Sequence, residues 1–358
     1  MSLKIDNRLQ ILRQRLAERE IEAFLISQAE NRYYLSGFDG SSGFLLITPQ
    51  NEVLATDFRY LEQARRQAPE YDIFQTTGDV ENWLPELIGG LALKRLGFEA
   101  DHVSFAMYRR LSDMLDNSQS RLRLVPVDGL IESLRAIKEP DEIELITKAI
   151  AISDAALGYI AHTIDTGMTE KEIAWELEKF LRDKGSQSIP FNVIVASGAN
   201  AALPHAKPSE RTVQPGEPVV IDIGARVEGY TSDLSRTICL GKPDDTFKRV
   251  YDTVLRAQLG AIAQITAGMT GKQADSLARA TIEQAGYGDG FGHNLGHGLG
   301  LAPHEKPHLG QNSRDKLADG MVFTIEPGIY LTGWGGVRIE DTVVMENGKV
   351  RVLSQAKK

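Results

Sequence analysis

Cysteine is nearly absent from this chain of 358 residues: Cys239 stands alone, so no internal disulfide framework is available and a reducing cytoplasm is the expected compartment. No apolar run approaches the length of a membrane span. The opening stretch, MSLKIDNRLQILRQ, lacks the apolar core of a secretion signal. Basic residues are in the minority, 40 Lys and Arg against 49 Asp and Glu, and the net charge of −9 disfavours nucleic acid and anionic membrane as partners. What remains is a soluble globular composition, long enough for two domains with ample core.

Residues 1–128 alternate short apolar runs with helical stretches. AFLIS (23–27), GFLLIT (43–48), YDIFQT (71–76), RLGFEA (95–100) and LVPV (124–127) read as strands, and DFRYLEQARRQ (57–67) has helical spacing, which together make an α/β pattern. The charged stretch RAIKEPDEIE (135–144) follows, with Pro140 suited to a first helical turn and acids after it. A boundary is expected here, with residues 129–139 as linker and 140–358 as a second domain of mixed α and β structure.

That second domain repeats itself. GMTEKEIAWELEKFLRDKG (167–185) and GMTGKQADSLARATIEQAG (268–286) both open on Gly-Met-Thr and both carry a capping-box pair, Thr169 with Glu172 and Thr270 with Gln273. GEPVVIDIG (216–224) then matches GMVFTIEPG (320–328), aligning Asp222 with Glu326. A duplication predicts two half-domains, each contributing an acid-bearing strand.

In VVIDIGARVEGYTSDLSRTICLG (219–241), a turn at residues 226–229 would set Asp222 opposite Asp233 across a hairpin. In VFTIEPGIYLTGWGGVRIEDTVVM (322–345), Glu326 and Glu340 flank a Gly-rich turn in the same way. Facing carboxylates repel unless a cation lies between them or one is protonated, and buried acids are costly unless paired or bound to metal. Four acids in two related hairpins point to a metal centre.

Residues 291–308, FGHNLGHGLGLAPHEKPH, hold His293, His297, His304 and His308, four of the seven histidines. Alternating glycines argue against a helix in 291–301, and so against a helical zinc-binding His pair, and they allow an extended backbone to come close to a ligand or another strand. One imidazole added to four carboxylates makes a donor set suited to manganese, cobalt or iron at least as well as zinc.

With these residues in place, the sequence resembles the M24 "pita-bread" metallopeptidases, and among them the Xaa-Pro peptidases, aminopeptidase P and prolidase. Asp222, Asp233, His297, Glu326 and Glu340 stand at the spacing of that family's five metal ligands. NRYYLSGFDGSSGFLLIT (31–48) and ATDFRYLEQA (55–64) resemble the creatinase/prolidase amino-terminal domain. The resemblance implies an α/β amino-terminal domain followed by an α+β pita-bread catalytic domain with a pseudo-twofold repeat.

It further implies two divalent ions, manganese or cobalt before zinc or iron. Asp222 would bind one ion, His297 and Glu326 the other, with Asp233 and Glu340 bridging both and a hydroxide between them as nucleophile. His205 and His293 resemble histidines that contact substrate. His304 resembles one that stabilises the tetrahedral intermediate or handles a proton, and Glu326 a proton carrier to the leaving nitrogen. Tyr330 and Arg338 occupy positions that line the site. Ala302 and Pro303 depart from the pattern, replacing an acidic residue followed by an apolar one. The implied substrates are short peptides with proline second, and the implied assembly is a homodimer.

Two other functions on the same fold are creatinase-like amidinohydrolysis without metal and a non-catalytic binding module. Both lack the full ligand set, which is present here. Dipeptidase and aminopeptidase activities stay undivided at this level. His102, His162 and His308 are expected to be structural or superficial, Cys239 to be a buried small apolar residue, and Asp39 to serve a turn.

Overall fold

The computed structural model describes residues 2–118 and 120–358, with side chains from Lys4 onward. Contacts divide it into two units, Met1–Arg135 and Ala136–Lys358.

The first unit runs α1 (Ser2–Glu18), β1 (Ala23–Ile26), α2 (Ala29–Ser36), β2 (Phe44–Ile47), β3 (Glu52–Thr56), α3 (Leu61–Gln67), β4 (Asp72–Gln75), α4 (Val80–Ile88), β5 (Arg95–Glu99), α5 (Phe105–Asn117), β6 (Arg123–Val127) and α6 (Glu132–Arg135). Its sheet has the order β4-β3-β2-β1-β5-β6. The pairs β1–β2 and β2–β3 are antiparallel and the others parallel. β3 is the strand that apolar-run counting passes over. It forms because Thr48 Oγ1 accepts from the amides of Gln50 and Asn51 and folds the chain back as a hairpin, setting Ile47 against Glu52. Leu25, Leu46, Trp83, Phe98 and Leu111 share one core. Buried Glu99 accepts from the amides of Ser27 and Gln28 and from Asn31 Nδ2. Arg135 Nη1 in turn donates to Asn31 Oδ1 at 2.9 Å, which anchors α6 to this unit.

The second unit opens with α7 (Pro140–Thr163), α8 (Glu170–Asp183), β7 (Ile194–Ser197), β8 (Pro218–Ile223), β9 (Arg226–Val227), β10 (Tyr230–Thr231) and β11 (Leu234–Cys239). It continues with α9 (Asp245–Gln264), α10 (Gly271–Gln284), β12 (Gly296–Gly298), β13 (Glu305–Leu309), β14 (Val322–Ile325), β15 (Gly328–Leu331), β16 (Gly335–Arg338), β17 (Asp341–Glu346) and β18 (Lys349–Val352). Pro140 occupies the first turn of α7, where its missing N–H costs no helical bond.

The repeat is structural. Thr169 and Thr270 cap α8 and α10 with complete capping boxes, each side-chain cap contributing about 1 kcal/mol. The chain just before each helix is stitched to an extended segment in the same way. Gly167 and Glu170 donate to Val213 and Arg211, and Gly268 and Gly271 donate to Leu317 and Asp315. Each half then has a long hairpin, β8–β11 or β14–β17, that carries a short ribbon at its tip, β9–β10 or β15–β16. The apolar faces pack two cores. Val195, Val219, Ile221 and Leu234 lie under α7 and α8, and Phe323, Ile325, Val343 and Met345 lie under α9 and α10.

Candidate metal centre and substrate cavity

The four acids sit where the long hairpins give way to their ribbons. Strand β8 is apolar except for Asp222, and its antiparallel partner β11 sets Ser235, not Asp233, opposite that acid. The direct pairing of Asp222 with Asp233 is therefore corrected. The tight turn at Glu228 and Gly229, both at positive φ, closes a separate two-residue ribbon, and Asp233 follows it just before β11. Asp233 stands two residues from Ser235, so its side chain shares the face of Asp222. In the second half, Ile325 pairs with Asp341, which places Glu326 and Glu340 opposite one another just past the ends of β14 and β17.

Carboxylate oxygens of Asp222, Asp233 and Glu340 lie within 4.8 Å of one another. The His297 imidazole enters from β12, its Nε2 at 3.2 Å from Glu326 Oε1 and 3.6 Å from Asp233 Oδ2. Asp233 thus belongs to two clusters, one with Asp222 and Glu340 and one with His297 and Glu326. Strand β12 carries glycine on both sides of His297 because its neighbours press on it. A Cβ on Gly296 would lie 2.0 Å from the Thr324 carbonyl oxygen, and one on Gly298 2.1 Å from that of Lys306.

The electrostatics bear on what this cluster can hold. Burial, followed by repulsion from Glu340, Asp222 and Glu326, drives Asp233 well above the ordinary carboxylate range. Burial and the charges of Glu326 and Asp222 do the same to Glu340. Asp222 is raised by burial against the opposing charge of Arg338. Asp222 Oδ1 and Glu340 Oε1 are buried with no hydrogen-bond partner, a state that costs the desolvation of each oxygen. Buried, mutually repelling acids with idle oxygens fit a divalent cation, and one imidazole with four carboxylates is a hard, oxygen-rich donor set.

Burial opposes charge on His297, but its hydrogen bond with Glu326 and that residue's charge raise its pKa overall. Against its own burial, Glu326 is drawn down to about 2 by His297. Thr324 Oγ1 orients the pair. It donates to Glu326 Oε1 at 2.9 Å and accepts from the His297 amide at 3.1 Å.

Of the other expected residues, His205, His293, His304 and Arg338 wall a cavity of about 530 Å³ along with Asp222, Asp233, His297 and Glu326, and His308 joins them at its wall. His304 lies against His297 with ring centroids 4.1 Å apart. Burial, with the neighbouring His297, lowers His304 to about 4, so it is a neutral imidazole near pH 7. His293 Nε2 meets the Tyr330 hydroxyl at 3.1 Å, and burial keeps that imidazole neutral as well. Arg338 is fully engaged. It donates to Asp222 Oδ2 at 2.6 Å, to the Tyr330 hydroxyl at 2.9 Å, to Ser235 Oγ at 2.8 Å and to the Pro204 carbonyl at 3.2 Å.

Sequence reading passes over the support behind the histidines. On α10, Asp275 and Arg279 pair at 2.7 Å. Arg279 holds the carbonyls of Phe291 and His293, and Asp275 accepts the Leu295 amide. Their four-residue spacing on a helix was the available signal. Thr324 and the lining residues Phe191 and Lys207 had none. Away from the site, His102 bonds Ser27 Oγ, His162 caps its own helix on the Gly158 carbonyl, and Asp39 accepts from Gln63. Cys239 is half-buried at the end of β11, a correction to the buried residue expected, because the strand runs out there.

Residues 144–347 match the model of metallopeptidase family M24, and residues 8–137 match the creatinase/prolidase N-terminal domain. The chain belongs to metallopeptidase family M24. It is therefore a hydrolase of the metal-dependent peptidases, built as a creatinase-type unit followed by the pita-bread unit. An Xaa-Pro dipeptidase of Pyrococcus furiosus is 36% identical over 96% of this chain and 97% of its own length. The structure of an Xaa-Pro dipeptidase from Bacillus anthracis superposes with a TM-score of 0.94 at 39% identity, covering 99% of this chain and 98% of that one. An X-Pro aminopeptidase structure from Thermotoga maritima gives 0.89 at 38% identity, covering 98% of each chain. Among the described residues, no helix is long and apolar enough to cross a membrane.

Proposed function

We propose that this chain is a metal-dependent exopeptidase that hydrolyses the bond between an amino-terminal residue and a following proline. The observation that carries the reading is the position of Asp233, common to the Asp222–Glu340 cluster and to the His297–Glu326 cluster. Two divalent ions would then be held by Asp222 on one side and by His297 and Glu326 on the other, with Asp233 and Glu340 between them. When bound, such ions supply Lewis-acid polarisation of a carbonyl and bring the pKa of a water to about 7. Manganese or cobalt suits the donor set best.

The protein's own groups divide the remaining work. Glu326, ionised and oriented by Thr324, accepts a proton and delivers it to the leaving nitrogen. His304, neutral, donates a hydrogen bond to the developing oxyanion. Arg338 fixes Asp222 and the Tyr330 hydroxyl, and Tyr330 fixes His293. A proline nitrogen brings no N–H to satisfy, and the rings of His293 and Tyr330, 5.5 Å apart, offer a pyrrolidine ring an apolar wall. His205 flanks the same cavity and contacts substrate. An amidinohydrolase or a binding module has no use for a complete five-residue donor set. The reading narrows the linker expected at residues 129–139 to the join after Arg135, since α6 belongs to the first unit, and it includes a homodimer and, with a single cysteine, residence in the cytoplasm.

The test is hydrolysis by metal-stripped protein reconstituted with Mn²⁺ or Co²⁺. Xaa-Pro peptides are cleaved and their Xaa-Ala counterparts are not, and chelator abolishes turnover. Equal cleavage of both peptides, or turnover that survives the chelator, overturns the reading.

A further inference from the structure

His205 reaches the cavity from the segment 198–208, which runs between β7 and β8. Within that segment only Gly198, Ala201 and Ala206 are buried, and Leu203 is 59% exposed. Three small residues bury little apolar area, so packing alone does not hold such a loop still. Its order has to come from polar bonds.

Those bonds converge on Glu170, the first residue of α8, which is fully buried. Each of its oxygens serves one end of the loop. Oε1 accepts from the Ser197 amide at 2.7 Å and from the Ser197 hydroxyl at 2.8 Å. Oε2 accepts from the Ser209 amide at 3.0 Å and from the Ser209 hydroxyl at 2.6 Å. Asn200 Nδ2 donates to both oxygens at 3.1 Å and closes the clasp. Burial opposes charge on Glu170, but the bonds from Ser209 and Ser197 lower its pKa overall, so the clasp is anionic near pH 7.

The middle of the loop is fixed by β16. Arg338 donates to the Pro204 carbonyl, next to His205. A Cβ on Gly336 would lie 2.2 Å from the Ala201 carbonyl oxygen, and one on Gly335 2.8 Å from that of Gly198, so the glycines that open β16 make room for the loop. The cap of α8 does not itself need an acid at Glu170. In the other half of the repeat Gly271 stands at this position with an equally complete capping box, and the His308 carbonyl oxygen packs where its Cβ would be.

We propose that Glu170 is a positioning residue for substrate binding, whose carboxylate clasps both ends of the loop and so holds His205 at the cavity wall. The inference rests on the reading of His205 as a substrate contact and deepens it.

The experiment is a double-mutant cycle of Glu170→Ala and His205→Ala in the metal-loaded full chain. KM and kcat are read on whichever of Ala-Pro and Ala-Pro-Ala the wild type cleaves faster. Glu170→Ala should lower kcat/KM by about ten- to thirtyfold, mainly through KM, but by about twofold or less when His205 is already alanine. Ser209→Ala, which removes one hydroxyl of the clasp, should lower it by about two- to fivefold with the same dependence on His205. A readout without turnover is amide hydrogen exchange, which should quicken in residues 199–207 of both Glu170→Ala and Ser209→Ala and stay as it is in β8. Equal losses with and without His205 overturn the positioning role. Exchange that is unchanged in residues 199–207, or that quickens equally in β8, overturns the clasp. A His205→Ala protein with wild-type KM and kcat overturns this inference and leaves the Xaa-Pro reading standing. Cleavage of neither peptide by the wild type overturns both.

Discussion

Lys138 Nζ and Glu305 Oε1 form an ion pair of 2.7 Å whose side chains are 1% and 5% exposed, and Glu305 directly follows His304. The same carboxylate accepts the Ala302 amide at 3.4 Å, so it fastens the turn that presents His304. Removing Lys138 takes the cation away from a buried carboxylate, whereas removing both members takes that charge away as well. Lys138→Met should destabilise the protein by about 3–5 kcal/mol, and the Lys138→Met/Glu305→Met double variant by less than the sum of its two single variants. Urea unfolding of the four proteins checks this, and simple additivity would refute the coupling.

Thr324 touches no substrate in this account. It holds Glu326 and the backbone of His297, the position of an outer partner to two metal ligands. Thr324→Val should weaken metal binding by about 10–100-fold with little change in volume. Isothermal titration with Mn²⁺ measures it.

Metal removal should make stability depend on pH with a definite sign. Asp233 and Glu340 have raised pKa values in the folded, metal-free chain, through burial and mutual repulsion. Folded protein then holds protons that unfolded protein has released, so stability falls as pH rises from about 4 through the raised values. His297, raised as well, contributes stability that is present below about pH 6.5 and lost above its folded value, which has the same sign. His304, lowered to about 4, and His293, also lowered, act in the opposite sense up to about pH 6.5, so the Tm of metal-free protein should fall between about pH 7 and about pH 8 more than that of the Mn²⁺-loaded form, and Asp233→Asn should flatten the fall. A metal-free Tm that rises over this range would contradict the electrostatics.

Crowding of β12 predicts a backbone effect. Gly298→Ala would put a methyl group 2.1 Å from the Lys306 carbonyl oxygen, so β12 must move and carry His297 with it. Loss of about 1–3 kcal/mol or more is expected, together with weaker metal binding, whereas alanine at Gly292, where nothing lies within 4 Å, should be tolerated.

The sequence was most legible where a pattern repeats or a charge breaks an apolar run. The capping boxes of α8 and α10, the acids Asp222 and Glu326 at the ends of the apolar runs of β8 and β14, and the glycine-flanked His297 are all local signals. Register was harder to read. Asp222 faces Ser235 because the Glu228–Gly229 turn makes a ribbon of its own, and turn closure depends on φ values that spacing alone does not specify. Strand β3 escaped because its place depends on a Thr48 side-chain turn. The Arg338–Asp222–Tyr330–His293 chain and the meeting of Phe191 and Lys207 at the cavity wall are tertiary juxtapositions of distant segments, which no single window of sequence contains.

The most direct test of the account is metal stoichiometry, measured on dialysed protein by elemental analysis and by titration with Mn²⁺. The wild type should hold two ions per chain. His297→Ala should retain the ion of the Asp222 side, lose the other and lose nearly all turnover of an Xaa-Pro peptide. A His297→Ala protein that still binds two ions and hydrolyses the peptide would contradict the account at its centre.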